Sequence, residues 1–281
     1  MLTTTSGASL LTPAQVSELV VLPLVAASVA GQALTPVATE SHQYRIPRVT
    51  ADPAAAWVAE GAEIPVTDAA IDEIVVTPKK LAGLSVISQE LADDSSPAAV
   101  DTIGAGIVRD LSRRLDAALF SDAGANGPAG LATLSGISTV SAGSAYASLD
   151  AFSDAIYTSE AANGTIGFWI TNPQTAMTLS KLKESSTSNK PLLQPDPTQP
   201  GARQIGGVRL LTCTDIPTAG GVVWGVPTAQ AYLVMRKDAE IESDRSVFFT
   251  SHRVAVRSIV RAGFGFPNPA AVVKISTTTG S

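Results

Sequence analysis

Charge is scarce in this chain. Asp, Glu, Lys and Arg make up 16% of its 281 residues, against about 25% in ordinary soluble chains, so partners are expected to cover much of the surface. Cysteine is nearly absent: Cys213 stands alone, which excludes an internal disulfide framework, and with no CxxC companion it reads as a small core residue. Histidine is almost as rare. His42 and His252 lie far apart in the sequence and neither sits in an HExxH spacing, so both read as surface or hydrogen-bonded structural residues. No GxSxG nucleophile elbow occurs. Asp93–Asp94 precede Ser95–Ser96–Pro97 and serve the positive end of a helix better than a carboxylate dyad. No residue is left to assign to catalysis, to a cofactor or to a metal, and an enzyme is not expected.

A long hydrophobic run is missing as well. Leu19–Ala30 falls short of the ~20 residues a spanning helix needs, and Pro23 interrupts it. No Lys or Arg precedes Arg45, so the basic start of a secretory signal is lacking. Thr12–Pro13 instead reads as an N-cap and first helical residue, opening an arm helix that docks on protein in a soluble chain with no membrane partner. Nor is there a basic excess: the net charge of −6 gives no whole-chain attraction to phosphate. The loop Gly124–Gly130 (GANGPAG) has no Lys-Ser/Thr after it and no strand before it, so it is a connector and not a phosphate cradle.

Extended segments and one long helix are present. From Trp57 to Pro97 the chain encodes two strands and a helix start. Val58, Glu60 and Ala62 alternate with Trp57, Ala59 and Gly61, a turn is expected near Thr67–Ala70, and Ile71–Thr77 is a β-branched run closed by Pro78. A two-stranded hairpin is marginal alone in water. Trp57, Ile64, Ile74 and Val76 are therefore expected to find a surface on a neighbouring subunit, and Glu60 and Glu63 to lie on a solvated or intersubunit face. Downstream, Ser96 and Pro97 open a helix predicted over 97–122, with Val100, Ile103, Ile107, Leu111, Leu115 and Leu119 on one face. From Ser148 the pattern is mixed α/β: a helix with Leu149, Phe152 and Ile156, a strand at Gly167–Thr171, and a helix opened by Asn172–Pro173. A Pro/Ser-rich loop spans Ser185–Gly201. Strands follow at Val208–Thr212, Val222–Trp224, Tyr232–Met235, Ile241–Ser243, Phe248–Ile259 and Ala270–Ile275, the late ones pairing back onto the early ones around a central insertion.

Several of these stretches together carry a resemblance. Trp57–Ala59, Glu60–Gly61, Ile64–Pro65, Lys79–Leu81, Ser88–Ser95, Gly130–Leu131, Asn172–Pro173, Ile205–Val208 and Arg257 through Pro269–Ala270 occur in order over about residues 10–275. The sequence resembles the phage major capsid proteins with the HK97-like fold. The resemblance implies an α+β capsid fold with five parts. Residues 1–50 form an N-terminal arm, and 51–80 an extended hairpin, the E-loop, reaching over a neighbour through Trp57, Glu60, Glu63, Ile64, Asp68, Ile74 and Val76. Residues 81–144 begin a P-domain with the spine helix, 145–240 form an inserted α/β A-domain, and 241–281 carry the closing strands. It further implies self-assembly into pentamers and hexamers of an icosahedral shell. That shell encloses double-stranded DNA without sequence-specific binding, with separate scaffolding, portal and decoration proteins, in a virion assembled in the host cytoplasm.

Two departures qualify it. Some members weld subunits through an isopeptide bond, and the corresponding positions here are Gly61, His252 and Ile259, so a noncovalent shell is expected. Some begin with a long charged scaffolding segment; the fifty residues before the hairpin lack heptads and charge runs, which points to a separate scaffolding protein or a mature form. The alternatives are an encapsulin-type nanocompartment of the same fold and, from another class, a phage-encoded hydrolase.

Overall fold

The structure is a computed structural model. It describes residues 22–51, 53–61, 63, 68, 70–88, 98–120, 124, 126–184, 188–193, 203–236, 240–244, 246 and 248–277. In chain order these form α1 (Leu22–Ala27), α2 (Val29–Ala33), β1 (Thr35–Thr39), β2 (Tyr44–Ala51), β3 (Ala70–Val76), β4 (Lys79–Ser88) and α3 (Ala98–Phe120). Then come β5 (Ser138–Ser141), α4 (Asp150–Ala161), β6 (Phe168–Thr171), α5 (Pro173–Ser180), β7 (Gln204–Ile205), β8 (Val208–Thr212) and β9 (Val223–Val226). The last strands are β10 (Tyr232–Arg236), β11 (Glu240–Asp244), β12 (Arg253–Gly265) and β13 (Val273–Ser276).

The long strand β12 organises the first sheet. It runs antiparallel to β4 along one edge, from Arg253 opposite Ser88 to Ala262 opposite Lys79, so the late strands do return to the early ones. Its other edge holds β11 and then β10, and β1 lies parallel to β10. Along β12 Val254 is buried while Arg253 and Arg257 are exposed. On the inward face Val260, Ala262 and Phe264 meet Leu111, Leu115 and Leu119 of α3 and Leu24 and Leu34 of the N-terminal segment. The helix is 23 residues long, about 35 Å at ~1.5 Å per residue. Its expected cap Ser96, like Thr12–Pro13 before α1, lies outside the described residues.

One carboxylate interrupts the apolar face of α3. Asp116 is buried and accepts hydrogen bonds from the Ser28 hydroxyl at 2.6 Å, the Ala30 N–H at 2.8 Å and the Val29 N–H at 3.0 Å. Ser28 in turn caps α2, accepting from the Gly31 N–H at 3.2 Å. The amides that a helix start leaves open are thus met by a side chain of another helix, and the N-terminal segment is fastened to the spine. Burial raises the Asp116 carboxyl above its ordinary value, opposed by these same hydrogen bonds.

The second sheet has the order β5-β13-β9-β6-β8-β7. Phe152 of α4 meets Trp169 of β6 edge-on with ring centroids 5.1 Å apart, and the Trp169 indole N–H donates to the Ile205 carbonyl at 3.0 Å. Asn172 caps α5 as its sequence foretold, accepting from the Thr175 N–H at 2.7 Å.

Three expectations need correction. The partner of β3 is Tyr44–Ala51, not the run from Trp57, whose described residues Trp57–Gly61 form no strand. Strand pairing also crosses the boundaries expected near 240. β10 belongs to the first sheet and β13 to the second, because main-chain partners of each lie in the other part of the sequence. Finally, Gly130 is more than a connector. A Cβ there would lie 2.3 Å from the Ala118 carbonyl oxygen and 2.5 Å from that of Leu119, so only glycine lets the chain pass the end of α3.

Candidate assembly surface

The β2–β3 ribbon stands on the outer face of the first sheet, and its two ends differ. At the base, Ile46 and Val76 are buried against Val234, with Tyr44, Ile74 and Tyr232 around them. The sheet makes room through Gly263 and Gly265, two positions apart on β12. A Cβ on Gly265 would sit 2.6 Å from Ile46 Cδ1 and 2.9 Å from Val76 Cγ2; one on Gly263 would sit 2.9 Å from Val76 Cγ1. A glycine pair at strand spacing marks close approach of another backbone. Val76 was expected to need a neighbour's surface. Its own chain supplies it.

Away from the base the support ends. The face of the ribbon turned from the sheet carries Val49, Ile71 and Val75, exposed by 55%, 70% and 44%. Val49 and Ile71 are cross-strand partners, and Arg45 bridges to Glu73 at 2.6 Å beside them. Beyond the ribbon, Trp57 is fully exposed and touches no burying surface; Val58 is also exposed. Glu60 and Gly61 form an exposed turn, with Gly61 at a positive φ of 81°, and Glu63 and Asp68 are exposed. Ile64 lies outside the described residues. Ile74 is half-buried beside Val76. From Val49 to Pro78 the sequence has six carboxylates (Asp52, Glu60, Glu63, Asp68, Asp72 and Glu73) and no Lys or Arg.

Cations gather where the ribbon joins the body. Lys79, Lys80 and Arg114 rim a cleft of about 330 Å³ whose floor is Leu81, Leu115, Ala118 and Pro128. Arg114 has Asp110 at 4.0 Å, a solvent-exposed pair of little weight. Among the described residues no carboxylate lies within ion-pair distance of Lys79 or Lys80. This cleft went unnoticed in the sequence, although Lys79–Lys80 and the Arg113–Arg114 pair were its signal. Of the isopeptide positions, Gly61 and His252 are exposed, whereas Ile259 is buried in β12 opposite Ala82 and Glu240. Among the described residues no group of His, Cys, Asp or Glu could hold a metal, and no helix is long and apolar enough to cross a membrane.

The sequence matches the model of the Phage capsid family over residues 8–277. The chain belongs to the phage capsid family. Solved structures share its fold over nine-tenths of its length. The capsid of the native GTA particle is 21% identical, covering 89% of this chain and 90% of that one with a TM-score of 0.71. A structure from Mycobacterium phage Bobi is 15% identical, covering 90% and 91% with a TM-score of 0.73. One from Microbacterium phage Oxtober96 is 14% identical, covering 89% and 91% with a TM-score of 0.71. No curated protein matches. The family's architecture is therefore the HK97-like capsid fold, and the chain is a structural protein, a major capsid protein and not an enzyme. The encapsulin reading is not favoured, since family and structures are of phage type.

Proposed function

We propose that copies of this chain join into the pentamers and hexamers of an icosahedral shell, with the segment 51–80 of each copy laid over a neighbour. The exposed apolar face of the ribbon carries this reading: Val49, Ile71 and Val75 line one side of a projection whose base alone is supported by its own chain. Large apolar side chains so displayed mark contact with protein. The shell encloses double-stranded DNA, held by volume and not by sequence, since an acidic chain offers few phosphate contacts. Scaffolding, portal and decoration proteins are separate partners, assembly takes place in the host cytoplasm, and the shell is noncovalent because Gly61 and Ile259 cannot form an isopeptide.

Two measurements test it. Replacing residues 53–68 by a short Gly/Ser turn should abolish shells in electron micrographs and leave the circular dichroism melt of the subunit intact; normal shells would refute the role given to the ribbon. Shells boiled in detergent should run as one band at the 28.8 kDa monomer. A ladder of multiples would refute the noncovalent shell.

A further inference from the structure

Two features at opposite ends of the ribbon complement each other and do not meet within one chain. The cleft under Lys79, Lys80 and Arg114 has an apolar floor and a cationic rim with little internal neutralisation. Its volume of about 330 Å³ is at the small end of enclosing pockets, ~300–1,000 Å³, which suits one large side chain better than a strand. The connector beyond β2 offers such a side chain, the fully exposed Trp57, followed within six residues by the carboxylates of Glu60 and Glu63. Within a chain, β3 separates the connector from the cleft. Its seven residues span about 23 Å at ~3.3 Å per residue, so a second copy is the source that geometry allows.

We propose that Trp57 of one copy enters the Lys79–Lys80–Arg114 cleft of another, with Glu60 and Glu63 pairing to the cationic rim. This rests on the reading that the 51–80 segment contacts a neighbouring copy, and it names the receptor. The indole lies on Leu81, Leu115 and Ala118, and a rim cation against its face adds an electrostatic attraction. Aromatic anchors seated in well-packed pockets are where interfaces concentrate binding energy. The six-carboxylate stretch keeps the segment from settling on acidic surface, and the cationic cleft repels a neighbour's own Lys79–Lys80 edge, so register is set by repulsion as well as attraction.

The full chain is tested as purified protein, with circular dichroism confirming that each variant folds. Trp57→Ala should weaken assembly by roughly 30-fold in critical concentration, the hot-spot range. Lys79→Glu with Lys80→Glu should prevent shells, and adding Glu60→Lys and Glu63→Lys should restore them. In a Cys213→Ser background, Glu60→Cys with Lys80→Cys should be joined between chains by a short bis-maleimide cross-linker in assembled protein and not in dilute monomer. Shells that form without that cross-link overturn the proposal. So does a Lys79→Glu/Lys80→Glu protein that assembles normally but retains less DNA, which would assign the cleft to phosphate. If those rim variants assemble normally while loss of 53–68 abolishes shells, only the receptor is wrong. If both assemble normally, the intersubunit role of the segment fails with it.

Discussion

Gly265→Val should loosen the ribbon without unfolding the body. The new Cβ would stand 2.6 Å from Ile46 Cδ1 and 2.9 Å from Val76 Cγ2, well inside the ~3.5–4.0 Å optimum for carbon atoms. Ile46 Cδ1 ends a flexible side chain and could swing, but Val76 is β-branched and stiff, and valine adds two further methyl groups. Overpacking of this kind costs about 1–3 kcal/mol. Burying Ile46 and Val76 holds the base with about 1.5–3 kcal/mol each, so the clash offsets much of what either side chain contributes. The opening equilibrium of the ribbon should shift by roughly 5- to 150-fold, the equivalent of ~1–3 kcal/mol. Native-state hydrogen exchange reads this directly. Amides of β2 and β3 should exchange faster by that factor while those of α4 and β6 keep their protection. Adding Ile46→Ala empties the space the new side chain needs and should return part of the protection. Unchanged exchange in β2 and β3 would refute the claim that the glycine pair seats the ribbon.

Other substitutions probe the body. Asn172→Ala removes the α5 cap and the 3.1 Å bond from its side-chain amide to the Pro217 carbonyl; a loss of about 1–2 kcal/mol is expected in urea unfolding. For Asp116 the folded carboxyl is raised, chiefly by burial, so between 3.8 and the folded value the native state holds the proton more often than the unfolded one. Stability from this group therefore falls as pH rises through that window, and the stability of wild type minus that of Asp116→Asn should decline with it. A rising difference would refute the assignment. The Cys213 thiol is buried and pushed up to about 12, so it should resist a thiol reagent at pH 8 until urea exposes it; immediate reaction would contradict its place in the core.

Local signals were legible where one side chain fixes one piece of backbone. The α3 stripe, the Asn172 cap and the β-branched run before Pro78 each appear where periodicity or capping puts them. Errors arose where the partner was distant. The run Tyr44–Ala51 contains Pro47 and two arginines and looks unlike a strand; it is tolerated because the ribbon has only two strands and Pro47, opposite Glu73, lies on an edge. The turn expected near Thr67–Ala70 lies largely outside the described residues, but β3 pairs with Tyr44–Ala51, and no pattern in a single strand reveals so distant a partner. β1 falls within the expected extended arm, and its strand character is not legible there because its partner β10 lies about two hundred residues away. The anchoring half of the candidate surface was written as Gly263-x-Gly265, a legible mark of close approach. The cationic cleft was not, since Lys79–Lys80 and Arg114 come together only once β4 lies beside α3.

The seating of the ribbon on β10 and β12 also governs when a growing polypeptide becomes competent to join others. β2 and β3 leave the ribosome first, and Val234, Gly263 and Gly265, on which their base rests, follow Val76 by more than 150 residues. A nascent or prematurely terminated chain therefore has the ribbon but no floor to hold it, and the pairing it awaits is of the long-range kind that forms slowly. Incomplete products are thereby kept from presenting a correctly aimed ribbon, a form of proofreading that needs no second protein.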